Sequence, residues 1–444
     1  MKIKLMVLLC VFLSGVMLNA QEIVGSWVGT LDVGAPLRIV FNISVDENRH
    51  VKATMDSPDQ GAFGINVDEV IIDSGLIELK LNSLKGFYKG DIKNADLIEG
   101  SWTQSGQNFP LNLKKTNEKI EIKRPQTPKE PFPNNSVEVE FKNEEADIIL
   151  AGTFTFPKEK DDFPAVIMVT GSGAQDRDET IFNHKPFAVI ADHLTKNGIA
   201  VLRYDDRGFG KSGGDFVSAT TEDFAGDAIA AYEYLLQQKN VNKNKIGVIG
   251  HSEGGLIASI LGSQLDDLDF IVLLASPGVS GDKILSDQVR DINIASGLDD
   301  EVVKSNVRLQ EKILAIVKEQ IDENTKREKL KELVQNDAQV NQLLTPWFKF
   351  FVSFDPQDVL REISSPVLAL NGDKDLQVNS KRNLKEIKSA LEKGGNKNFK
   401  TLELKNLNHL FQNCETGMIS EYGKIEETFA PEVLDIITNW INEL

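Results

Sequence analysis

Alternating apolar and polar positions characterise the first part of the chain. In Leu37–Val45 and in Leu76–Leu81 apolar side chains recur at every second position, which is typical of strands that bury one face. The pattern predicts eight strands: Ile23–Leu31, Leu37–Val45, Val51–Met55, Val67–Ile72, Leu76–Leu81, Gly86–Ile92, Leu97–Trp102 and Phe109–Leu113. We therefore expect residues 21–115 to form a small all-β barrel or sandwich, with Trp27 and Trp102 in its core.

A proline-rich segment follows, and the pattern then changes. Residues 116–136 carry four prolines among charged residues, and we interpret them as a linker. From 137 to 444 strands alternate with helices, which is typical of the α/β class with a mostly parallel, doubly wound sheet. The predicted strands are Val137–Phe141, Ile148–Phe156, Ala165–Thr170, Ala200–Arg203, Lys245–Ile249, Phe270–Ala275, Val367–Asn371 and Lys400–Leu404. The predicted helices are Phe187–Lys196, Thr221–Gln237, Ser252–Leu261 and Pro431–Ile441.

One stretch interrupts this alternation. Asp287–Leu344 is charged and has a helical pattern, and an aromatic cluster follows it at 347–354. We interpret residues 278–355 as a helical lid inserted after a strand of the sheet.

The first twenty residues have the order of a secretory signal peptide. Two lysines precede the apolar run Leu5–Val16, and small residues lead to Ala20. The run is short for a membrane-spanning helix, and no other stretch is long and apolar enough for one. We expect cleavage after Ala20 and export to the periplasm or the medium.

Charge and cysteine content narrow the range of partners. Removing residues 1–20 deletes two lysines, so the mature net charge is (49 − 2) − 67 = −20. Such a surface repels phosphates and anionic lipid, which argues against nucleic-acid and membrane partners. Only Cys414 remains after cleavage, so no intramolecular disulfide forms, and we expect this thiol to be buried. No cluster has metal-ligand spacing, so no metal is expected; the sequence leaves the oligomeric state open.

The strongest chemical signal is Gly250-His251-Ser252-Glu253-Gly254. It follows the predicted strand Lys245–Ile249 and opens a predicted helix, the context in which G-x-S-x-G presents a nucleophilic serine on a tight turn. The N-terminus of the helix favours the negative charge that develops during attack. We predict Ser252 as the nucleophile; the alternative is a serine that caps an ordinary helix.

A serine hydroxyl needs a base, and an acid must orient that base. Of the five histidines, only His409 follows the last predicted strand, where the chain order Ser…Asp…His puts the base. The acid is expected after the strand Val367–Asn371, where both Asp373 and Asp375 stand.

Acyl transfer also needs amide donors for the oxyanion. The backbone N–H of Glu253, directly after the nucleophile, is one. We assign the other to Ser172, in the glycine-rich loop after Ala165–Thr170, with Gly173 as the alternative. That loop lacks the pattern of a phosphate-binding P-loop or of a dinucleotide fingerprint.

Five separated motifs resemble those of a subgroup of bacterial serine esterases with the α/β-hydrolase fold. They are Gly171–Asp178, Arg203–Ser212, Gly250–Gly255, Asn371–Val378 and Asn408–Gln412, and the resemblance covers roughly residues 137–444. It implies a carboxylesterase that acts on small acyl esters without a cofactor, and many members carry an N-terminal β-rich domain. The superfamily pattern G-x-x-D selects Asp375 over Asp373.

Two motif segments have side chains without an obvious part in the chemistry. We interpret Asp205, Asp206 and Arg207 as a buried ion-pair network that braces the loops of the site. We further hypothesise that the carboxylate of Glu253 pairs with Arg177 and fixes the oxyanion loop.

The sequence thus predicts a serine carboxylesterase with Ser252, His409 and Asp375 as its triad and a small ester as its substrate. A peptidase of the prolyl-oligopeptidase type shares the hydrolase domain, although roughly 95 residues are too few for the propeller such enzymes carry. A thioesterase or lactone hydrolase would use the same triad. A ligand-binding surface protein with a vestigial hydrolase domain is the alternative from another class.

Overall fold

The computed structural model describes residues 23–33, 36–46, 49–60, 62–117, 123–158, 161–334 and 336–444. The chain divides into two compact units, Met1–Ile122 and Lys123–Leu444. The predicted signal peptide lies outside the described residues, so its cleavage stays a prediction. None of the described helices combines the length and the apolar character that crossing a bilayer requires.

In the first unit, the described residues form one antiparallel sheet of ten strands. These are β1 Gly25–Asp32, β2 Pro36–Val45, β3 Val51–Ser57, β4 Ala62–Asn66, β5 Glu69–Asp73, β6 Leu76–Leu81, β7 Gly86–Asn94, β8 Leu97–Gln104, β9 Gln107–Pro110 and β10 Leu113–Thr116. The order is β4-β3-β2-β1-β10-β8-β7-β6-β5, with β9 paired to β8. Because the two ends of this order, β4 and β5, follow each other closely in the chain, the sheet curls in a barrel-like way.

The structure corrects the predicted number of strands in this unit. Strand β4 was not predicted, because Gly64 at a φ of 66° breaks its alternation. The predicted strand Phe109–Leu113 is divided between β9 and β10 after Pro110, which has no N–H for a ladder. Trp27 and Trp102 are both buried in the apolar core, which confirms their predicted packing.

The second unit is built on an eight-stranded sheet. Its strands are β11 Asn135–Asn143, β12 Ile148–Phe156, β13 Phe163–Val169, β14 Ala200–Tyr204, β15 Val241–His251, β16 Phe270–Leu274, β17 Val367–Gly372 and β18 Phe399–Leu404. The order is β11-β12-β14-β13-β15-β16-β17-β18. Strand β12 is antiparallel to both neighbours, and from β14 onward every neighbouring pair is parallel. This topology is that of the α/β-hydrolase fold and confirms the predicted fold class.

Helices cover both faces of this sheet. They are α1 Pro186–Lys196, α2 Thr221–Leu236, α3 Glu253–Gln264, α4 Gly281–Ala295, α5 Asp300–Lys318, α6 Glu323–Lys331, α7 Asp337–Leu343, α8 Pro346–Ser353, α9 Pro356–Leu360, α10 Ser380–Lys393, α11 Ile419–Tyr422 and α12 Pro431–Glu443. Alternate strand residues point to opposite faces. Ile167 belongs to the core that includes residues of α2, α3, α9 and α10, and Val166 belongs to the core that includes residues of α1 and α12. Helix α10 was not predicted, although Leu384, Ile387 and Leu391 have helical spacing.

Helices α4–α8 form the lid, inserted between β16 and β17. Their apolar side chains pack mainly against one another and against Leu256 of α3. The two ends of the lid touch, since a Cβ added to Gly281 would lie 2.3 Å from the carbonyl oxygen of Phe351. Helix α9 belongs to the body instead, because Leu360 is buried in the core beneath α3.

The second half of the predicted linker is part of the second unit. Arg124 donates to the carbonyl oxygens of Phe182, Gly423 and Ile425 at 2.8 Å each. Gln126 donates to the carbonyl of Phe429 at 2.7 Å. The segment that begins at Lys123 is therefore bound chain rather than free linker.

Candidate active site

Ser252 stands on a strained turn between β15 and α3. Its φ of 54° and ψ of −120° are rare for a residue with a side chain. The turn is held from below, because the N–H of Ser252 donates to the carbonyl of Leu274 at 2.8 Å. The hydroxyl is thereby presented at the N-terminus of α3, above the carboxyl edge of the sheet.

Glycines around Ser252 are required by close backbone approach. An added Cβ at Gly250 would lie 2.0 Å from the carbonyl oxygen of Gly254, and one at Gly254 would lie 2.1 Å from that of Val169. At Gly255 it would lie 2.4 Å from Cβ of Ser276. These distances are far below van der Waals contact. Helix α3 can therefore approach the sheet this closely only because these three positions have no side chain.

His409 and Asp375 form a buried pair at the same edge of the sheet. Nδ1 of His409 lies 2.8 Å from Oδ2 of Asp375. The other carboxylate oxygen, Oδ1, accepts from the backbone N–H groups of Gln377 and Val378 at 2.8 and 2.9 Å. The competing Asp373 is exposed and accepts from the N–H of Asn406. Only Asp375 thus contacts His409.

Ser252, Glu253, His409 and Ser172 line one cavity of about 250 Å³. The lid supplies much of the apolar wall of this cavity. Polar side chains come from the part of the second unit outside the lid and from lid helix α4. The remaining lining residues are Gly171, Gln175, Glu179, Ile181, His251, Pro277, Ile284, Leu285, Gln288, Trp347, Phe351, Gln377, Val378 and Leu410. Among the residues described by the structure, those lining the cavity include neither lysine nor arginine.

Three carboxyl groups hold the loop 170–175 that contains Ser172. Glu179 accepts from the N–H of Gly171 at 2.9 Å, so this amide is not available to an oxyanion. Asp206 accepts from the N–H of Gln175 at 2.8 Å and also from the hydroxyl of Thr170 at 2.7 Å. Burial raises the pKa of Asp206 to about 8, against the opposing effect of these hydrogen bonds.

Glu253 supplies the third carboxyl group, and its position corrects our hypothesis. It does not pair with Arg177. It accepts from the hydroxyl of Thr221 at 2.6 Å and from Nε1 of Trp347, on lid helix α8, at 2.8 Å. Burial raises the pKa of Glu253, and hydrogen bonds from Thr221, Ser172 and Trp347 oppose that shift. The carboxyl group therefore ties the loop 170–175 and the lid to the start of α3.

Arg177 belongs to the ion-pair network that the sequence indicated. Its guanidinium donates to both carboxylate oxygens of Asp205, at 2.9 and 2.8 Å. Arg207 donates to Asp227 at 2.6 Å in a buried pair. These two pairs brace the loops after β13 and β14, and neither arginine lines the cavity. The prediction was wrong for Asp206, which accepts hydrogen bonds from Thr170 and Gln175 and forms no ion pair with a described residue.

The histidine next to Ser252 was not predicted to belong to the site. His251 is buried, with Nδ1 2.9 Å from Oε1 of Glu179 and Nε2 2.9 Å from the carbonyl oxygen of His409. Its partners are distant in sequence, so no local spacing revealed them. Cys414, which we expected to be buried, is only partly so; burial nevertheless raises the pKa of its thiol to about 11.

Comparison with known proteins adds the family. The family model described as serine aminopeptidase, S33 matches residues 184–413, just over half of the chain. The chain belongs to this family. The S33 match includes Ser252, His409 and Asp375 and begins after the loop that contains Ser172.

A curated relative and two solved structures extend this comparison. Esterase EstD of Thermotoga maritima is 32% identical over 293 residues, which are 63% of this chain and 61% of EstD. The chain thus matches only about three fifths of the length of that relative. The Pyrococcus furiosus esterase Pf2001 is 18% identical with a TM-score of 0.42, over 70% of this chain and 93% of its own. Est1E of Butyrivibrio proteoclasticus, solved with ferulic acid, is 16% identical with a TM-score of 0.40, over 69% and 96%.

Among the described residues, no group of three or more histidine, cysteine, aspartate or glutamate side chains is arranged to hold a metal ion.

Proposed function

We propose that this S33-family protein is a serine carboxylesterase that hydrolyses small acyl esters. The observation that carries the proposal is the convergence of Ser252, on its strained turn, and the His409–Asp375 pair at one cavity. The 32% identity to a curated esterase supports the same reaction class.

The mechanism is two-step acyl transfer. Asp375 fixes Nδ1 of His409, which leaves Nε2 as the ring nitrogen that takes the proton of Ser252 during attack. The backbone N–H of Glu253, at the start of α3, has no partner within the helix, and with an amide at Ser172 it holds the oxyanion. The alcohol leaves with the proton from His409, and water then releases the acyl group by the same route.

The cavity supports a small, uncharged acyl group. Its volume of about 250 Å³ lies below the usual range for pockets that hold drug-sized ligands. The lid lines it with Ile284, Leu285, Trp347 and Phe351, and the described lining has no lysine or arginine to pair with a charged acid.

The family description makes an aminopeptidase the second candidate. Binding a free α-ammonium group needs an available carboxylate. The two carboxylates that line the cavity are already engaged: Glu179 by His251 and Gly171, and Glu253 by Thr221 and Trp347. This favours esters over peptides with a free amino terminus. Thioesters and lactones fit the same triad.

The test is hydrolysis of a p-nitrophenyl ester series from acetate to palmitate, beside aminoacyl p-nitroanilides, by the mature protein. We expect activity that is highest on short acyl chains and falls by a factor on the order of 10⁴ or more in Ser252→Ala. The matched control is Ser263→Ala on the same helix α3, whose hydroxyl bonds to the carbonyl of Ile260 outside the cavity. Faster hydrolysis of the anilides, or ester hydrolysis that survives Ser252→Ala, would overturn the proposal.

We also propose that the protein is exported and cleaved after Ala20, because residues 1–20 have the order of a secretory signal peptide. Mass spectrometry of the protein recovered from the producing cells and their medium tests this. We expect an N-terminus at Gln21; a cytoplasmic protein that keeps Met1 would contradict it.

A further inference from the structure

A buried histidine and a buried carboxylate lie behind the proposed base and take no part in the mechanism above. His251 is 6% exposed and Glu179 is 3% exposed. The rings of His251 and His409 are tilted against each other, with their centroids 4.8 Å apart. The pair is therefore in contact with the proposed base without reaching the hydroxyl of Ser252 through any hydrogen bond of its own.

The partners of His251 determine where its protons are. Nε2 faces the carbonyl oxygen of His409, which can only accept, so Nε2 carries a hydrogen. Nδ1 faces Oε1 of Glu179, and the same oxygen accepts from the N–H of Gly171. A hydrogen on Nδ1 satisfies this oxygen from both sides, and the ring is then an imidazolium with Glu179 as its counterion.

Electrostatics agrees with this assignment. Burial alone lowers the pKa of His251, but the charge of Glu179 and the hydrogen bonds to Glu179 and His409 raise it above its ordinary value overall. The negative charge of Asp375 acts in the same direction. The carboxyl group of Asp206 is near Glu179 and, with its pKa of about 8, is mostly neutral below that pH.

The ion pair connects the loop that contains Gly171 with the backbone of His409, two segments that the proposed reaction needs at a fixed distance from each other. Through Glu179 it holds Gly171, whose position beside Ser252 is so close that an added Cβ would lie 3.2 Å from Cβ of the serine. Through His251 it holds the backbone of His409. One hydrogen-bonded chain thus runs from the oxyanion loop to the proposed base.

We propose that His251 and Glu179 are positioning residues for acyl transfer: the imidazolium of His251 fixes the backbone of His409 and places a positive charge beside its ring. That charge lies beside the ring that gains a positive charge during attack, with the two ring centroids 4.8 Å apart, so its removal is expected to change the pH dependence of the reaction. This inference rests on the proposed esterase function.

Two substitutions separate the mechanical from the electrostatic contribution. In His251→Gln the amide nitrogen reaches the position of Nε2 and still donates to the carbonyl of His409, but the charge is lost. In His251→Asn the amide nitrogen instead replaces Nδ1 toward Glu179, and the carbonyl of His409 loses its donor. The measurement is kcat and KM for p-nitrophenyl butyrate, from about pH 5 to about pH 9.

We expect His251→Asn to lower kcat by about 10²-fold with little change in KM, because displacement of a catalytic group mainly affects the chemical step. We expect His251→Gln to retain more activity, with the acid limb of kcat/KM moved to higher pH. In Glu179→Gln the counterion that raises the pKa of His251 is lost while burial still lowers it, so the ring of His251 becomes neutral. This variant is therefore expected to move the limb in the same direction as His251→Gln.

The matched control is another buried histidine. His184 contacts the hydroxyl of Thr428 and the carbonyl of Tyr422, both at 2.9 Å, and does not line the cavity. His184→Gln is expected to lower the melting temperature as the His251 variants do, without moving the acid limb. NMR of protein with nitrogen-labelled histidine adds a readout besides activity: one ring, absent from the spectrum of His251→Gln, carries hydrogens on both nitrogens at neutral pH.

The inference is overturned if both His251 variants keep the kcat and the acid limb of the unsubstituted protein, or if the His251 ring is singly protonated at neutral pH. Failure of the proposed function looks different: the unsubstituted protein would then lack ester hydrolysis, or Ser252→Ala would retain it. In that case the NMR measurement still tests the protonation of His251.

Discussion

Around Ser252 the backbone is packed so closely that a single methyl group decides whether the turn forms. The carbonyl groups of Val169 and Gly254 occupy the space where side chains at Gly254 and Gly250 would be. The sequence motif could predict this turn, because it is local and its glycines have one geometric reason. The His251–Glu179 pair could not be predicted in the same way, because its members are 72 positions apart and meet only through the fold.

Gly254→Ala tests whether helix α3 must lie this close to strand β13. With a methyl group 2.1 Å from the carbonyl oxygen of Val169, we expect a loss of about 1–3 kcal/mol or more of stability and loss of most ester hydrolysis. The matched control is Gly226→Ala on helix α2, where the nearest atom would be 3.6 Å away, and there we expect stabilisation of up to about 1 kcal/mol. Equal melting temperatures for the two variants would contradict this account.

The raised pKa of Asp206 predicts how the stability of the protein depends on pH. This pKa rises to about 8 in the folded chain from an ordinary value of 3.8, so between these values the folded state binds more protons than the unfolded state. The contribution of Asp206 to the free energy of unfolding is therefore fully present at low pH and is lost as pH rises toward 8. Its slope is at most about 1.4 kcal/mol per pH unit. Asp206→Asn removes this titration, so its melting temperature is expected to improve relative to the unsubstituted protein as pH rises from about 5 to about 8. A difference that is constant with pH would contradict the assignment.

At the scale of elements, helix α8 is where the lid meets the chemistry. Trp347 stacks on Phe351 with ring centroids 5.5 Å apart and donates to the carboxyl group of Glu253. The aromatic cluster and the existence of a lid could be predicted from the sequence. The contact with Glu253 could not, because it depends on how five lid helices pack together, and this is why we paired Glu253 with the wrong residue.

Trp347→Phe separates the indole N–H from the apolar ring. Loss of this hydrogen bond leaves a buried carboxyl group with one donor fewer, at a cost of about 1–3 kcal/mol. We expect kcat/KM to fall by roughly tenfold on all acyl chain lengths, because the backbone N–H of Glu253 is a proposed oxyanion donor. The control is Phe350→Leu on the same helix, whose ring stacks on Phe354 and does not line the cavity. A change confined to long acyl chains would instead show that Trp347 acts only as a pocket wall.

At the scale of the whole molecule, each unit has an apolar core of its own. Trp27, Phe41 and Tyr88 belong to the core of the first unit, whereas Phe163 belongs to a core of the second. The change from alternating strands to alternating strands and helices predicted two units. It could not predict that the chain from Lys123 is already bound to the second one, because that depends on single hydrogen bonds from Arg124 and Gln126.

Separate cores lead to a calorimetric prediction. Phe41→Ala is expected to destabilise the first unit by about 3–5 kcal/mol while leaving kcat/KM for esters unchanged at temperatures below its transition, because every residue of the candidate site lies in the second unit. Phe163→Ala, the matched change in the other core, is expected to lower the transition of the second unit. Scanning calorimetry with ester assays measures both. Loss of activity in Phe41→Ala well below its transition would contradict the prediction.

The insertion of the lid has a consequence for engineering. Its entry and exit meet at Gly281 and Phe351, and the flanking strands β16 and β17 are already neighbours in the sheet. A lid whose two ends are in contact can be exchanged as a unit, because the rest of the hydrolase unit is joined to it at the same two points whatever lies between them. Grafting lids of other sizes at this junction would therefore vary which acyl groups are accepted while leaving the turn at Ser252 intact.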